Sequence, residues 1–402
     1  DTQLGINPDD RLKNGEVTTP YHLRNGMLDL IPPEFFTNPN HKVLDPCCGK
    51  CGFILDIVNR FMNGLKHTIP NKNTRYKTIL ENIIHFCDIN NENINIVKSI
   101  IDPDNQYKMN YYQGDSLKMD FTGFDAVISN PPYNSSGRKM TGNTLYCNFT
   151  KQSLEKWIKP GGYLLTVHPP GWRKPCSYKS RYYGIKDLIT RDNTLLYLNM
   201  NGIHTGKDVF NCLTRFDWFL VNKTPNNNQY KTPVYDYNNQ YYQLDLTKIP
   251  FIPNYNIKHV LKYIKPKPDY IYKQMVGIDR RVYNKHITSK QNGYPVITKI
   301  LKDRINIIYV RNSIKPQLLK PKILFNRGSL TNVVIDMNGI YQFDRSVIPI
   351  YVNDQQEAER YKRVLLSKKF KTVILKPCMF SMFQLDPVLF EYFNNKLLID
   401  YD

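Results

Sequence analysis

Between Lys42 and Lys223, short apolar runs alternate with amphipathic stretches, and most of the runs end on a polar residue. No other feature narrows the fold so far. The runs "KVLD" (42–45), "IIHFCD" (83–88), "MNYYQGD" (109–115), "FDAVIS" (124–129), "GGYLLTVH" (161–168), "TLLYLNM" (194–200) and "FDWFLVNK" (216–223) read as strands. Phe53, Ile54, Ile57, Val58 and Phe61 share one helical face, and Ile94, Val97, Ile100 and Ile101 mark a helix that stops before Pro103. Further helices are expected near Leu145 to Ile158 and Ser180 to Ile189. Strands alternating with helices give an α/β fold with a mostly parallel, twisted sheet covered on both faces. Ligands on such sheets bind beyond the carboxyl ends of the strands, where the polar clusters of this segment lie.

After "NKTPNNNQYKTP" the pattern changes to strand-like fragments rich in Tyr, Ile, Lys and Pro. A boundary near 225 follows, with one domain over 1–224 and a mixed α+β domain over 225–402, in which "NDQQEAERYKRVLLSKKFKTVIL" reads as helix. The formal charge of +20 favours a polyanionic partner. It is uneven: 1–224 holds 27 Lys and Arg against 21 Asp and Glu, and 225–402 holds 28 against 14. No run of 18 apolar residues exists, and the first residues, "DTQLGINPDDRLKNGEV", are polar, so neither a membrane span nor a secretory leader is expected. The 8 irregularly spaced cysteines suit reduced thiols in an intracellular compartment. Cys48 and Cys51 form a C-x-x-C without a second pair, so no metal is expected.

Three acids end consecutive strands: Asp45 in "LDPCCGKCGF", Asp88, and Asp115 in "QGDSL". Gly49 and Gly52 precede a helix, where backbone amides favour an anion, and a carboxylate such as Asp88 suits ribose hydroxyls. The weaker alternative is that each acid caps a local turn. "ISNPPY" then closes the fourth strand with Asn130, Pro131, Pro132 and Tyr133, a composition that also makes ordinary turns.

Together with "VTTPYHLRNGML" (17–28), "VLDPCCGKCGF" (43–53), "HFCDIN" (85–90), "LYCNF" (145–149), "KPGGYLLTVHPPGW" (159–172) and "DVFNCLTRFDWFLVNK" (208–223), these motifs resemble the S-adenosylmethionine-dependent DNA adenine-N6 methyltransferases. In that family the cofactor motif precedes N-P-P-Y and the target-recognition region is C-terminal. The resemblance covers about 17–223 and is diffuse beyond, at "NRGSLTNVVIDMNGIYQF" and the helix after it. It implies a Rossmann-like methyltransferase domain followed by a target-recognition domain, with S-adenosylmethionine as cofactor and double-stranded DNA as partner. It also implies a restriction-modification setting in which an endonuclease is a possible partner. Carried over by position, Thr19, Pro20, Asp45, Pro46, Cys48 and Gly49 would surround the methionine part of the cofactor. Asp88 and Ile89 would sit at the ribose, Asp115 and Ser116 at the adenine amino group, and Phe149 beside the adenine. One departure concerns cofactor affinity: Cys51 stands where the family has its second glycine, with Gly52 after it.

The resemblance gives the fourth strand end a chemical reading. Adenine N6 is a poor nucleophile, and two acceptors on its hydrogens, the Asn130 side-chain oxygen and the Pro131 carbonyl, would sharpen its lone pair. The prolines remove two amide donors and stiffen the turn. Tyr133 offers a face for a base rotated out of the duplex, with Phe210 opposite. His168 and Trp172 either line the site or serve an ordinary loop. None of the three Pro-Cys pairs follows the fourth strand, which sets cysteine-based methylation of cytosine aside. "YIKPKPDYIYKQMVGIDRRVYNKH" (263–286) interleaves Tyr with cations, so Lys265, Lys267, Arg280 and Arg281 are expected to contact DNA. Methylation of RNA adenine, methylation of a protein glutamine, and a non-catalytic nucleic-acid-binding subunit are the other readings. The large basic domain speaks against the glutamine version.

Overall fold

The computed structural model describes residues 18–133, 145–176, 178, 180–227, 230–267, 277–311, 315–381 and 384–402. The chain divides into two units, one of Asp1–Trp172 with Tyr178–Thr247, the other of Arg173–Ser177 with Lys248–Asp402. The break therefore falls after Thr247 and not near 225. Its cause is a hairpin, β8 (Thr232–Tyr235) and β9 (Tyr241–Leu244), which pairs onto the edge of the first unit's sheet.

That sheet has nine strands in the order β3-β2-β1-β4-β5-β7-β6-β8-β9. Its first seven strands in chain order are β1 (Val43–Asp45), β2 (Ile84–Asp88), β3 (Asn110–Gln113), β4 (Phe124–Ser129), β5 (Ile158–His168), β6 (Thr194–Asn201) and β7 (Phe216–Asn222). All seven fall where the periodicity placed them. β3 to β5 are joined by parallel pairs, and β7 enters antiparallel between β5 and β6. The central strands β1, β2 and β4 are buried along their whole length, as strands covered on both faces must be. β1 lies between β2 and β4, so strand order reverses beside it. Crevices at the carboxyl ends open at such a reversal.

The Gly52–Gly64 helix packs Phe53, Ile54, Ile57, Val58 and Phe61 into the core, as its spacing predicts. Each large apolar side chain so buried contributes roughly 1.5–3 kcal/mol. In the Asn91–Ile101 helix, Ile94, Val97 and Ile101 are buried but Ile100 is 41% exposed, because it sits one position past the buried stripe. The helix expected near Ser180 to Ile189 is shorter, Ile185–Thr190.

The second unit holds two three-stranded sheets. One is ordered β11-β10-β14, from β10 (Tyr294–Ile300), β11 (Ile305–Val310) and β14 (Gln342–Phe343). The other is ordered β13-β12-β15, from β12 (Lys322–Asn326), β13 (Val333–Asp336) and β15 (Val347–Tyr351). The basic C-terminal run forms the Gln355–Leu366 helix and the short turns after it. Arg173 belongs to this unit through its bonds to the Ile252 carbonyl (2.8 Å) and the Asn254 side chain (3.0 Å). Among the described residues no helix is long and apolar enough to cross a membrane.

Candidate active site

The carboxyl ends of β1 to β4 converge on a cavity of about 310 Å³. Asp45 and Asp88 are the last residues of β1 and β2, Asp115 lies just beyond β3, and Asn130 follows β4 directly. All four line the cavity, with Pro132 at the same wall. Thr19, Pro46, Cys48 and Gly49 line it from the chain before and after β1, and Ile89, Ser116 and Phe149 from the other elements.

The floor is acidic and its carboxyls are buried. Asp45 accepts from the Cys47 amide at 3.1 Å, yet burial pushes its carboxyl up to about 8, with a further push from the neighbouring Asp88 charge. Asp88 is also raised by burial, against the Asn90 and Gly49 amides, which donate to it at 2.8 and 2.9 Å. Two buried carboxyls side by side favour a proton or another cation. Asp115 is more open: it caps the Ser116–Lys118 turn through Leu117 N at 3.1 Å. Capping and cavity lining therefore coincide in this residue.

The loop after β1 answers the question posed by Cys51. This residue itself takes the left-handed conformation, φ 78°, as the N-cap of the Gly52–Gly64 helix. Its thiol is fully buried, which pushes its pKa up to about 12. Gly52 has a different task. A Cβ there would lie 2.8 Å from Arg24 Nη1, so glycine makes room for a buried guanidinium.

Arg24 is the principal site residue that sequence reasoning missed. It lies 3% exposed on the Tyr21–Leu28 helix, donates from Nε to Asp56 Oδ2 (2.6 Å) and from Nη1 to the Thr19 carbonyl (2.5 Å). Thr19 Oγ1 in turn accepts from Asn130 Nδ2 at 3.1 Å. An unbroken chain thus runs Asp56, Arg24, Thr19, Asn130. It turns the Asn130 amide so that the nitrogen serves Thr19 and the oxygen is the group's acceptor. The signal was present: Arg24 shares the helical face of Leu23, Met27 and Leu28, all buried. An arginine in phase with apolar residues must be paired. Asn93, another missed residue, is buried at the wall and hydrogen-bonds Asp88. Lys50 and Leu145 also line the cavity.

Other expected residues stand elsewhere. Pro20 is the N-cap of the Tyr21–Leu28 helix, and Pro131 is buried between the cavity-lining Asn130 and Pro132 in the chain. Tyr133 is half-buried, edge-on to Tyr146 at 6.0 Å, and burial raises its phenol with help from Asp217 and Cys212. Phe210, expected opposite Tyr133, is 5% exposed and packs edge-on against Phe216 at 4.7 Å. It is a core residue because it ends an amphipathic helix with its apolar side inward. His168 and Trp172 are core residues too, and Trp172 Nε1 donates to Asp217 Oδ2 at 2.9 Å.

In the second unit, Arg280 and Lys267 are exposed and Lys265 is half-buried. Arg281 is exposed and paired with Asp279 at 3.1 Å. The middle of the Tyr- and Lys-rich run, 268–276, lies outside the described residues.

Residues 7–156 match the family model described as N-6 DNA Methylase. The "Type II restriction enzyme and methyltransferase RM.BcgI" of Heyndrickxia coagulans is 27% identical over 160 residues. That match takes in 39% of this chain and 24% of the relative, so the chain spans about a quarter of that protein's length. Among solved structures, the Type IIL restriction-modification enzyme MmeI, in complex with DNA, superposes over 96% of this chain and 69% of its own, with TM-score 0.55 and 8% identity. The ATP-dependent Type ISP restriction-modification enzyme LlaBIII, bound to DNA, covers 95% of this chain and 39% of its own, with TM-score 0.52 and 11% identity. At such identities these likenesses concern the fold, and they extend through both units.

Proposed function

We propose, from the match of residues 7–156 to the N-6 DNA Methylase family model, that the chain is a site-specific methyltransferase carrying a methyl group from S-adenosylmethionine to N6 of a flipped-out adenine in DNA. The observation that carries the reading is Asn130, whose amide nitrogen donates to Thr19 Oγ1, in the same cavity lining as Asp45, Asp88 and Asp115.

The cavity suits this cofactor on its own chemistry. Its floor of buried carboxyls favours a cation, and the cofactor carries a sulfonium. When bound, S-adenosylmethionine supplies an electrophilic methyl group. Thr19 and the loop from Asp45 to Gly49 would hold the methionine part, Asp88 with Ile89 the ribose, and Asp115, Ser116 and Phe149 the adenine.

The remaining work belongs to the chain. The Asn130 oxygen and the Pro131 carbonyl accept the two N6 hydrogens of the target, which draws the nitrogen toward a tetrahedral shape and aims its lone pair. Pro131 and Pro132 bring no amide hydrogens of their own to compete for that position. Tyr133 stacks on the target base. Phe210, the candidate for the opposite face, is buried against Phe216.

Lys265, Lys267, Arg280 and Arg281 would meet phosphates of the duplex, and the excess charge of the second unit supports that assignment. An intracellular setting and a cognate endonuclease form part of the same proposal; the restriction activity in the name of the curated relative supports them. Incubation with cofactor labelled on its methyl group and duplexes of varied sequence tests the reading. Label on adenine in particular duplexes is expected, and no label on adenine in any DNA would reject it.

A further inference from the structure

The second unit contains its own cleft, of about 470 Å³, which the methyl-transfer chemistry does not use. We propose that this cleft reads a base edge of duplex DNA, with Asn326 as a residue that specifies the base. The proposal rests on the DNA reading above and deepens it.

Asn326 is the last residue of β12, a strand buried along its length. Alternation along the strand puts Lys322, Leu324 and Asn326 on one face. Lys322 is neutralised there by Asp336 at 2.6 Å, and Leu324 enters the core with Val296 and Phe343. Asn326 alone of the three lines the cleft. It is 7% exposed, and among the described residues its side-chain amide makes no hydrogen bond within the protein. Its polar atoms are not among the sealed, unpartnered ones, so the amide opens into the cleft, where a ligand can complete its hydrogen bonds. An amide held at the end of a core strand, with its polar end at a cleft and no partner among the described residues, fits a ligand carrying a donor beside an acceptor.

The surroundings say what that ligand is. Arg280 and Lys299, both exposed, stand at the cleft with no ion pair among the described residues. Asp344, the acid in the lining, is already engaged: Ser346 donates to Oδ1 from its amide (2.7 Å) and hydroxyl (2.5 Å), and Tyr283 to Oδ2 at 3.3 Å. Its charge is thus held by the protein, and the cations face outward. Ile287, 52% exposed at the same cleft, supplies an apolar contact. Cations for phosphates, an amide for a base edge and an aliphatic surface for a thymine methyl form a set that fits a duplex groove. The asparagine amide, with one donor and one acceptor, matches N7 and N6 of adenine.

The full-length chain is mixed with a randomised duplex pool, and bound duplexes are sequenced for the wild type and for Asn326→Ala, Asn326→Asp, Arg280→Gln and Lys299→Gln. The wild type is expected to enrich a motif. Both Asn326 variants should lose preference at one position of it by about tenfold or more. Arg280→Gln and Lys299→Gln should weaken all sequences alike and flatten the salt dependence. Circular dichroism and cofactor titration on each variant verify folding, and the Ala and Asp variants remove the amide in different ways, so a single misfolded variant does not decide the matter. Unchanged preference at every position in both folded Asn326 variants would overturn the proposal, as would a wild type that enriches nothing. Methyl transfer is measured on the same duplexes: selection without transfer counts against the catalytic reading and leaves the base-reading assignment standing.

Discussion

The cavity of the first unit and the cleft of the second contrast in electrostatics and in how their polar groups are held. In the first, buried carboxyls are engaged by loop amides, and Asn130 is anchored through Thr19 to a buried ion pair. In the second, cations stand at the opening and the amide of Asn326 has no partner among the described residues. Chemistry on one atom needs groups fixed to fractions of an ångström, so the first site is braced from behind. Reading many sequences and rejecting most of them needs groups whose hydrogen bonds are completed only by the right base. On this view a braced site should fail when its brace is cut, and an unpartnered one should change its preference instead.

The largest expected effect comes from cutting the brace. Asp56→Ala leaves the Arg24 guanidinium buried without its carboxylate, and breaking a buried pair costs about 3–5 kcal/mol. Chemical denaturation should show that loss. Asp56→Asn keeps the shape and an acceptor, and should recover part of it while lowering kcat more than it raises the cofactor's KM. Equal effects on both constants would mean that the pair holds the fold without orienting Asn130.

Asn130→Ala follows. Removing one well-placed hydrogen-bonding group from a reacting centre lowers kcat by about 10²–10³-fold. Cofactor affinity, measured by calorimetry, should change far less, because Asn130 forms one point of a wall that Asp45, Asp88 and Asp115 also build. Preserved transfer would return Asn130 to Tyr133 to the status of a turn.

How far each site was legible follows from the same contrast. Asp45, Asp88, Asp115 and Asn130 announce themselves because each interrupts an apolar run at a strand end, and parallel strands bring their ends together. Arg24 and Asn93 do not, since each sits within a helix where polar residues are ordinary; only phase with the buried face marks them. Phe210 is the converse case: an aromatic residue in an apolar motif reads equally well as a stacking partner or as core, and the structure packs it against Phe216. In the second unit, β10 pairs with β14 across more than forty residues of chain, and no local pattern announces such a pair. The hairpin of β8 and β9 moved the boundary because its Tyr-rich strands resemble those beyond it.

The acidity of the first cavity gives a smaller and graded effect. Asp45 is raised to about 8, so near neutral pH the folded protein holds a proton that the unfolded chain has released. Because the unfolded state then binds fewer protons, this group's contribution to stability falls as pH rises from the ordinary carboxylate range toward 8. A cationic cofactor reverses the preference and should expel the proton. Affinity should therefore rise with pH up to about 8, by at most roughly tenfold per unit. Calorimetry in buffers of different ionisation enthalpy should register proton release. An affinity flat between pH 6 and 8 would show that the cation does not contact Asp45.

The smallest effect concerns Cys51. A non-glycine residue at positive φ costs about 1 kcal/mol, and glycine would relieve it. Glycine also loses the buried thiol and adds freedom to the unfolded chain, each worth a similar amount. The terms nearly cancel, so Cys51→Gly should move Tm by only a few degrees and leave cofactor affinity close to that of the wild type. Cys51→Ala keeps the strain and loses the thiol. It should therefore be no more stable than the glycine variant, the reverse of their usual order in helices. If alanine proves clearly better, the left-handed turn at 51 carries no strain, and the departure from the family's glycine has no cost for the braced site to absorb.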